Sequence, residues 1–184
     1  MKKLFSVSAL ALVLLSLINL AGDYAFAGEL YLSDLDNYWY FIEEQPYFEV
    51  LVPSSAERYV QKNLFGAKIL EMTFNNASII MEVGVIKSKN IKAVQDSIEA
   101  RFKPAFSNKS VIADRQITTS NDETAHFYAF RGTGLDSKTW MLRTVFFQKG
   151  DYVVYLAYII DNSKYDGDYA AYWIQAVNSF GWLK

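Results

Sequence analysis

The stretch that decides the fold runs from residue 139 to residue 160 and reads TWMLRTVFFQKGDYVVYLAYII. It is dense in β-branched and aromatic residues, which suit a pleated and buried surface. Gly150 supplies the positive φ that a tight hairpin needs, and its charged neighbours keep the turn in water. The pattern therefore predicts two long strands that fold back on each other at Lys149-Gly150.

Both alternating faces of the second strand are apolar. One face carries Tyr152, Val154, Leu156, Tyr158 and Ile160, and the other carries Val153, Tyr155, Ala157 and Ile159. A strand that is apolar on both faces needs cover on both. We therefore expect the hairpin to lie in the middle of a sheet, with other elements packed over each side.

Two amphipathic segments are candidates for that cover. Apolar residues spaced by three and four predict one helix over 91–106, which Ser88 or Asn90 can cap. A second apolar stripe predicts a helix over 169–180. The aromatic lead-in of residues 28–45 is a third candidate, as a short strand or as an arm packed on the core.

Shorter β-type runs complete the chain, at residues 47–52, 67–74, 78–86, 111–118 and 125–131. Asn75-Asn76 between two of them suits the left-handed conformation of a hairpin turn. Pro53 ends the first run, and Ser54-Ser55 then predicts a short helical turn through Val60. This order predicts an α+β fold, in which an antiparallel β-sheet is flanked by helices as an α/β/α sandwich.

The first residues predict export. Lys2 and Lys3 precede an apolar run over 4–21, and Ala25-Phe26-Ala27 is a small-x-small cleavage site. We expect a signal peptide over 1–27, with an uncleaved membrane anchor as the alternative. Residues 28–184 are then a single domain, with the lead-in over 28–45 and the core over 46–184. The predicted location is periplasmic or secreted.

Composition excludes several classes of partner and site. Without residues 1–27, the chain keeps 16 of its 18 basic and 19 of its 20 acidic residues. That balance is not typical of a protein that binds nucleic acid or an anionic membrane. The sequence has no cysteine, which excludes disulfides, a lipoprotein attachment site and a thiol nucleophile. We expect no stable membrane span once the leader is removed.

The arrangement resembles the PsbP-like domain family, which includes the PsbP, DcrB, LpqN and Mog types. Three features carry the resemblance: the early strand YFEVLVP, the paired strands about Asn75-Asn76 followed by a helix, and the long hairpin before a final helix that ends AVNSF. The typical Gly-Trp segment is replaced by SSAERYVQKN, which leaves the subfamily open. The resemblance implies a non-catalytic domain for binding or for supporting an assembly.

The sequence offers little chemistry. His126 is the only histidine, and no nucleophile motif accompanies it. The acidic run over 161–168 superficially suggests a calcium loop, but Tyr165 and Asp166 break the EF-hand spacing. Weak calcium binding there stays open. We therefore predict no enzymatic activity, no cofactor, no metal site and no catalytic residue.

Tyrosine is unusually abundant in this sequence. These residues cannot all bury their hydroxyl groups without partners, so some should reach the surface. Such residues suit interfaces. The candidate partner or ligand contacts are Tyr38, Trp39, Tyr40, Tyr165 and Tyr169. The predicted function is to bind a protein partner or support an assembly in the cell envelope. The alternative is a small-ligand-binding protein with an aromatic-lined enclosed pocket, and a hydrolase using His126 ranks last.

Overall fold

The structure is a computed structural model that describes residues 28–64, 66–102, 106–134, 137–161 and 167–184. Within those ranges the chain forms eleven strands and two helices. In chain order they are β1 (Glu29–Leu32), β2 (Tyr38–Glu44), β3 (Tyr47–Pro53), β4 (Arg58–Leu64), β5 (Ala67–Phe74), β6 (Ile79–Lys87), α1 (Ile91–Phe102), β7 (Phe106–Thr118), β8 (Thr124–Gly134), β9 (Thr139–Lys149), β10 (Tyr152–Asp161), α2 (Gly167–Ser179) and β11 (Gly181–Trp182).

The strands form two antiparallel sheets. The large sheet has the order β4-β5-β6-β10-β9-β8-β7, and the small sheet has the order β1-β2-β3-β11. The predicted central hairpin is confirmed: Tyr152 pairs with Lys149 across the turn, and Gly150 has a φ of 58°. Strand β10 lies between β6 and β9, so the hairpin is central in the large sheet.

Each face of the large sheet has its own core. On one face, α1 packs Val94 and Ile98 against Val153, Tyr155 and their neighbours. On the other face, the small sheet and α2 together cover the side that includes Val154, Leu156 and Tyr158. The two faces of β10 divide between these cores as the alternation predicts. Burial on both sides explains why this strand is apolar throughout.

The predicted fold class is wrong. An α+β sandwich with helices as the layers was expected, but the described residues are mostly β-strand, and a second sheet supplies much of one layer. The lead-in is the main cause, because it supplies two strands, β1 and β2, where one short strand or an arm was expected. Strand β2 pairs with β3 from Tyr38 opposite Pro53 to Glu44 opposite Tyr47, and β1 pairs with the other edge of β2. The result is a β-rich sandwich with two helices.

Two local predictions also need correction. The segment after Pro53 is not a helical turn: it forms β4, an edge strand that pairs with β5 from Arg58 to Leu64. Its polar residues face water, so the strand shows no clear hydrophobic period. Helix α1 is described as far as Phe102, and Phe106, predicted as its last residue, begins β7 instead. The predicted cap is confirmed, because the Asn90 side chain accepts a hydrogen bond from the Ala93 amide at 3.1 Å.

The end of the chain fastens α2 to the small sheet. The Leu51 amide in β3 donates to the Ser179 hydroxyl at 2.9 Å, and Ser179 donates in turn to the Ala176 carbonyl. Beyond the helix, β11 pairs with β3, and the Leu183 amide donates to the Tyr47 carbonyl at 3.0 Å. Phe180 is buried between the layers and stacks on Phe147. Among the helices described, none is long and apolar enough to cross a bilayer.

Candidate functional site

The predicted contact residues lie in three surroundings. Tyr38 meets Tyr172 of α2 edge to face, with ring centroids 5.7 Å apart, and Tyr169 packs against both Tyr172 and Phe74. Burial and the neighbouring Tyr172 raise the pKa of Tyr38. These rings join the lead-in to the last helix. They therefore form one aromatic cluster, and part of its role is to hold these elements together.

Trp39 and Tyr40 point to opposite faces of β2. Trp39 faces the large sheet and stacks on Tyr59, with ring centroids 5.2 Å apart. Tyr40 lies opposite Tyr31 of β1, on the side of the small sheet that faces away from the large sheet. The fifth candidate, Tyr165, lies outside the described residues. The structure thus brings Tyr38 near Tyr169, while Tyr40, on the same side of β2, lies on a surface that it shares with residues of β1 and β3.

That surface is named the outer face of the small sheet, and it is formed by Glu29, Tyr31, Tyr40, Ile42, Glu44, Tyr47 and Glu49. The register places these side chains together, because Glu29 pairs with Ile42, Ile42 with Glu49, and Glu44 with Tyr47. All seven are exposed or half-buried. The Tyr31 hydroxyl donates to Glu29 at 2.6 Å, and this bond raises the pKa of Tyr31.

Two open depressions lie at one end of the sandwich, on either side of the central hairpin turn. The first has a volume of about 530 Å³ and is lined by Pro46, Tyr47, Lys149, Gly150, Asp151, Tyr152 and Leu183. The second has a volume of about 410 Å³ and is lined by Ile91, Gln116, Thr124, Ala125, His126, Gln148 and Gly150. Gly150 borders both. The first depression adjoins the outer face through Tyr47.

His126 lies in the second depression beside an acidic partner. Its Nε2 is 2.8 Å from Asp114 Oδ1, and both side chains are partly exposed. Asp114 belongs to the edge strand β7 and His126 to β8, so the contact helps hold the edge strand in place. Thr124 supplies the hydroxyl that lines the same depression, while Gln148 donates to the Lys89 carbonyl at 3.0 Å. These contacts give His126 a structural role in joining β8 to the edge strand.

A buried polar network lies beneath α1. Arg101 donates to Glu82 and, at 3.1 Å, to the Tyr155 hydroxyl, which itself lies 3.3 Å from Glu82. Burial and the Glu82 carboxylate raise the pKa of Tyr155. Burial alone would lower the pKa of Arg101, but Tyr155 and Glu82 outweigh it and raise that pKa. The network fastens α1 to the sheet, and its enclosure gives it no access to a ligand.

A second network holds the far side of α1. Lys109 and the Tyr128 hydroxyl both donate to Glu99, and the Lys109 ammonium lies 4.8 Å from the centre of the Phe130 ring. Burial would raise the pKa of Glu99, but the two hydrogen bonds lower it overall. Sequence reasoning missed both networks, because their members lie 10 to 73 residues apart in the chain.

Metal ligands do not gather among the residues that the structure describes: no group of three or more histidine, aspartate and glutamate residues there is placed to hold an ion. Most of the acidic run over 161–168 lies outside the described residues. Asp161 itself is buried and lies 3.2 Å from the Lys138 ammonium. Its carboxylate therefore has a structural ion pair.

Comparison with known proteins identifies the fold. The structure is similar to that of the cyanobacterial PsbP protein CyanoP from Synechocystis sp. PCC 6803, with a TM-score of 0.53 and 8% sequence identity over 88% of this chain and 96% of that one. It also matches a protein of unknown function from Pseudomonas aeruginosa, with a TM-score of 0.44 and 11% identity over 83% and 94% of the two chains. No family model and no curated protein matches the sequence.

The likeness to CyanoP defines a class of fold. The chain has a PsbP-like fold, as the resemblance in its sequence implied. At 8% identity the match concerns the arrangement of the backbone and carries no residue of known function from one chain to the other.

Proposed function

We propose that this chain is an exported, non-catalytic PsbP-like domain that binds a protein partner or supports an assembly in the cell envelope. Three observations support the proposal. The fold is PsbP-like over most of the chain. The first 27 residues have the pattern of a leader. The described residues form two open depressions and the outer face of the small sheet, which are accessible to a partner.

The single observation that carries partner binding is the exposed aromatic outer face of the small sheet. Tyrosine rings give contact area, and their hydroxyl groups give direction, which is why such residues are enriched at interfaces. Tyr31 and Tyr47 are each about half exposed, at 48% and 46%. The depression next to Tyr47 extends this surface around the end of the sandwich.

The small-ligand alternative fits these features less well. It requires an enclosed pocket flanked by tyrosine and tryptophan, because small-molecule sites bury most of the ligand surface. The two depressions described above are open to solvent, and neither lining includes a tryptophan. A partner protein can bind in such open depressions, because a protein–protein contact does not require an enclosed pocket.

The proposal is tested by expressing the full chain with a C-terminal tag in a bacterial host, fractionating the cells and purifying the protein from the envelope fraction under native conditions. We expect a processed chain outside the cytoplasm that co-purifies with one protein in a fixed ratio. A chain that stays in the cytoplasm, or that is exported and elutes alone after mild cross-linking, contradicts the proposal.

A further inference from the structure

The seven residues of the outer face of the small sheet are all exposed or half-buried. Its inner face packs on the large sheet through Phe41, Phe48 and Val50, which are fully buried. Its outer face keeps Tyr31 and Tyr47 about half exposed. Exposed tyrosine rings of this kind suit a protein interface, where tyrosine is enriched.

Negative charge is concentrated in the segment that forms β1, β2 and β3. Residues 28–57, which include all of β1, β2 and β3, hold seven carboxylates and no lysine, arginine or histidine. Residues 58–184 hold sixteen lysine and arginine residues and twelve carboxylates. The domain therefore has an acidic small sheet and a basic remainder, although its overall charge is close to neutral.

Two of the seven carboxylates have partners outside residues 28–57. Glu43 is buried between the sheets, 3.6 Å from the Lys68 ammonium, and Glu57 accepts a hydrogen bond from the Asn76 amide. The other five are exposed or half-buried: Glu29, Asp34, Asp36, Glu44 and Glu49. Three of these, Glu29, Glu44 and Glu49, alternate with tyrosines on the outer face. The acidic groups are thus interleaved with aromatic rings.

We infer that the outer face docks a basic, arginine- or lysine-bearing segment of the partner protein. This inference rests on the proposed function and specifies the chemistry of the partner. Carboxylates form charge-assisted hydrogen bonds with guanidinium and ammonium groups, and bidentate pairs with arginine are the strongest of them. A cation placed over a tyrosine ring gains a further attraction from the ring electrons. Interleaved rings and carboxylates offer both contacts to one segment.

The sign of the charge decides between classes of occupant. An acidic face repels nucleic acid and an anionic membrane surface, and it attracts a basic protein segment over distances of about a Debye length, roughly 8 Å at physiological salt. A second copy of this chain could present its own basic side to the face. That occupant is distinguished by the oligomeric state of the protein.

The test titrates the full chain with a synthetic peptide of alternating arginine and valine, followed by calorimetry, with a glutamate-valine peptide as the reference ligand. The first variant combines Glu29→Gln, Glu44→Gln and Glu49→Gln. Its matched control, Asp96→Asn, Asp122→Asn and Glu123→Gln, removes the same charge from exposed or half-buried positions elsewhere. A third variant, Tyr31→Ser with Tyr47→Ser, removes the rings at constant net charge.

We expect the arginine peptide to bind the wild type, and the outer-face glutamine variant to bind it about tenfold more weakly, which corresponds to about 1.4 kcal/mol. The tyrosine variant should also lose affinity, while the control variant keeps it. Equal weakening in both charge variants, or full affinity in the tyrosine variant, overturns the inference.

Two further outcomes separate this inference from the proposed function. If the wild type forms a dimer that the outer-face variant lacks, the occupant is a second copy and the inference is wrong. If a partner from the envelope binds the outer-face variants as tightly as the wild type, the inference fails while the proposed function stands. If the peptide binds as expected but no envelope partner exists, only the proposed function fails.

Discussion

The ring of Tyr155 lies directly over Gly84 on the neighbouring strand. The two residues are paired across β10 and β6, and a Cβ atom at Gly84 would lie 2.1 Å from the Tyr155 ring. Glycine in the interior of a strand often marks a close approach of another group. Here it lets the ring lie flat along the sheet, so that the hydroxyl reaches Glu82 and Arg101.

The first prediction concerns that contact. Gly84→Ala should lower the free energy of unfolding by about 2 kcal/mol or more, because the new methyl group displaces a buried ring. In a Tyr155→Val background the same substitution should cost far less. Gly181→Ala is the matched control, since no atom lies within 4 Å of a Cβ there. Urea unfolding measures all of them, and equal costs of Gly84→Ala in both backgrounds would show that the ring is not responsible.

The second prediction concerns the buried network under α1. Arg101→Met leaves Glu82 buried with Lys62 4.0 Å away as its remaining cationic neighbour, and should cost about 3 kcal/mol. The double variant Glu82→Leu with Arg101→Met should be more stable than the single one, because no uncompensated charge stays buried. A double variant that is less stable than Arg101→Met would refute the charge argument. Thermal unfolding followed by circular dichroism gives the comparison.

The third prediction concerns the join between α2 and β3. Ser179→Ala removes the acceptor of the Leu51 amide and should cost about 1 kcal/mol. Ser55→Ala at an exposed position provides the control and should change stability by less than about 0.5 kcal/mol. Amide hydrogen exchange at Leu51 should accelerate in the Ser179 variant. Unchanged protection of that amide would mean that the hydroxyl is not its partner.

The fourth prediction concerns pH. The pKa of Glu99 is lowered in the folded state, so the unfolded state binds the proton more tightly, and stability falls as pH falls. The contribution is fully present above the ordinary value of 4.5 and is lost below it. In Glu99→Gln the free energy of unfolding should therefore fall less steeply as the pH is lowered, and Lys109→Met should have the same effect more weakly. Urea midpoints across the acid range that run parallel for Glu99→Gln and the wild type would contradict this account.

Sequence patterns predicted the centre of the molecule well and its periphery poorly. The hairpin at Gly150 and the division of β10 between two cores followed from strong alternation. Strand β4 was not predicted, because an exposed edge strand with polar residues has no hydrophobic period. The lead-in was recognised as aromatic, but its pairing with β3 is a tertiary property that no local pattern specifies.

The candidate surface was likewise predictable from the sequence only in part. The acidic character of residues 28–57 is visible in the sequence, whereas the gathering of Glu29, Glu44 and Glu49 on one face depends on strand register. Gly150 of the central hairpin lines both open depressions, a placement that depends on how the strands pack and not on the local sequence. The pairing of His126 with Asp114 required the register of β7 and β8, which contains two irregularities.

The most direct test of the account is site-specific photocross-linking of the full chain in cells. A photoreactive residue replaces Tyr31 or Tyr47 on the outer face, and Val111 or Ile174 as controls of similar exposure elsewhere on the surface. We predict that the two outer-face positions cross-link one envelope protein through a basic segment, and that the two control positions do not. Cross-links from the control positions alone, or none from any position, would contradict the proposal that this face binds the partner.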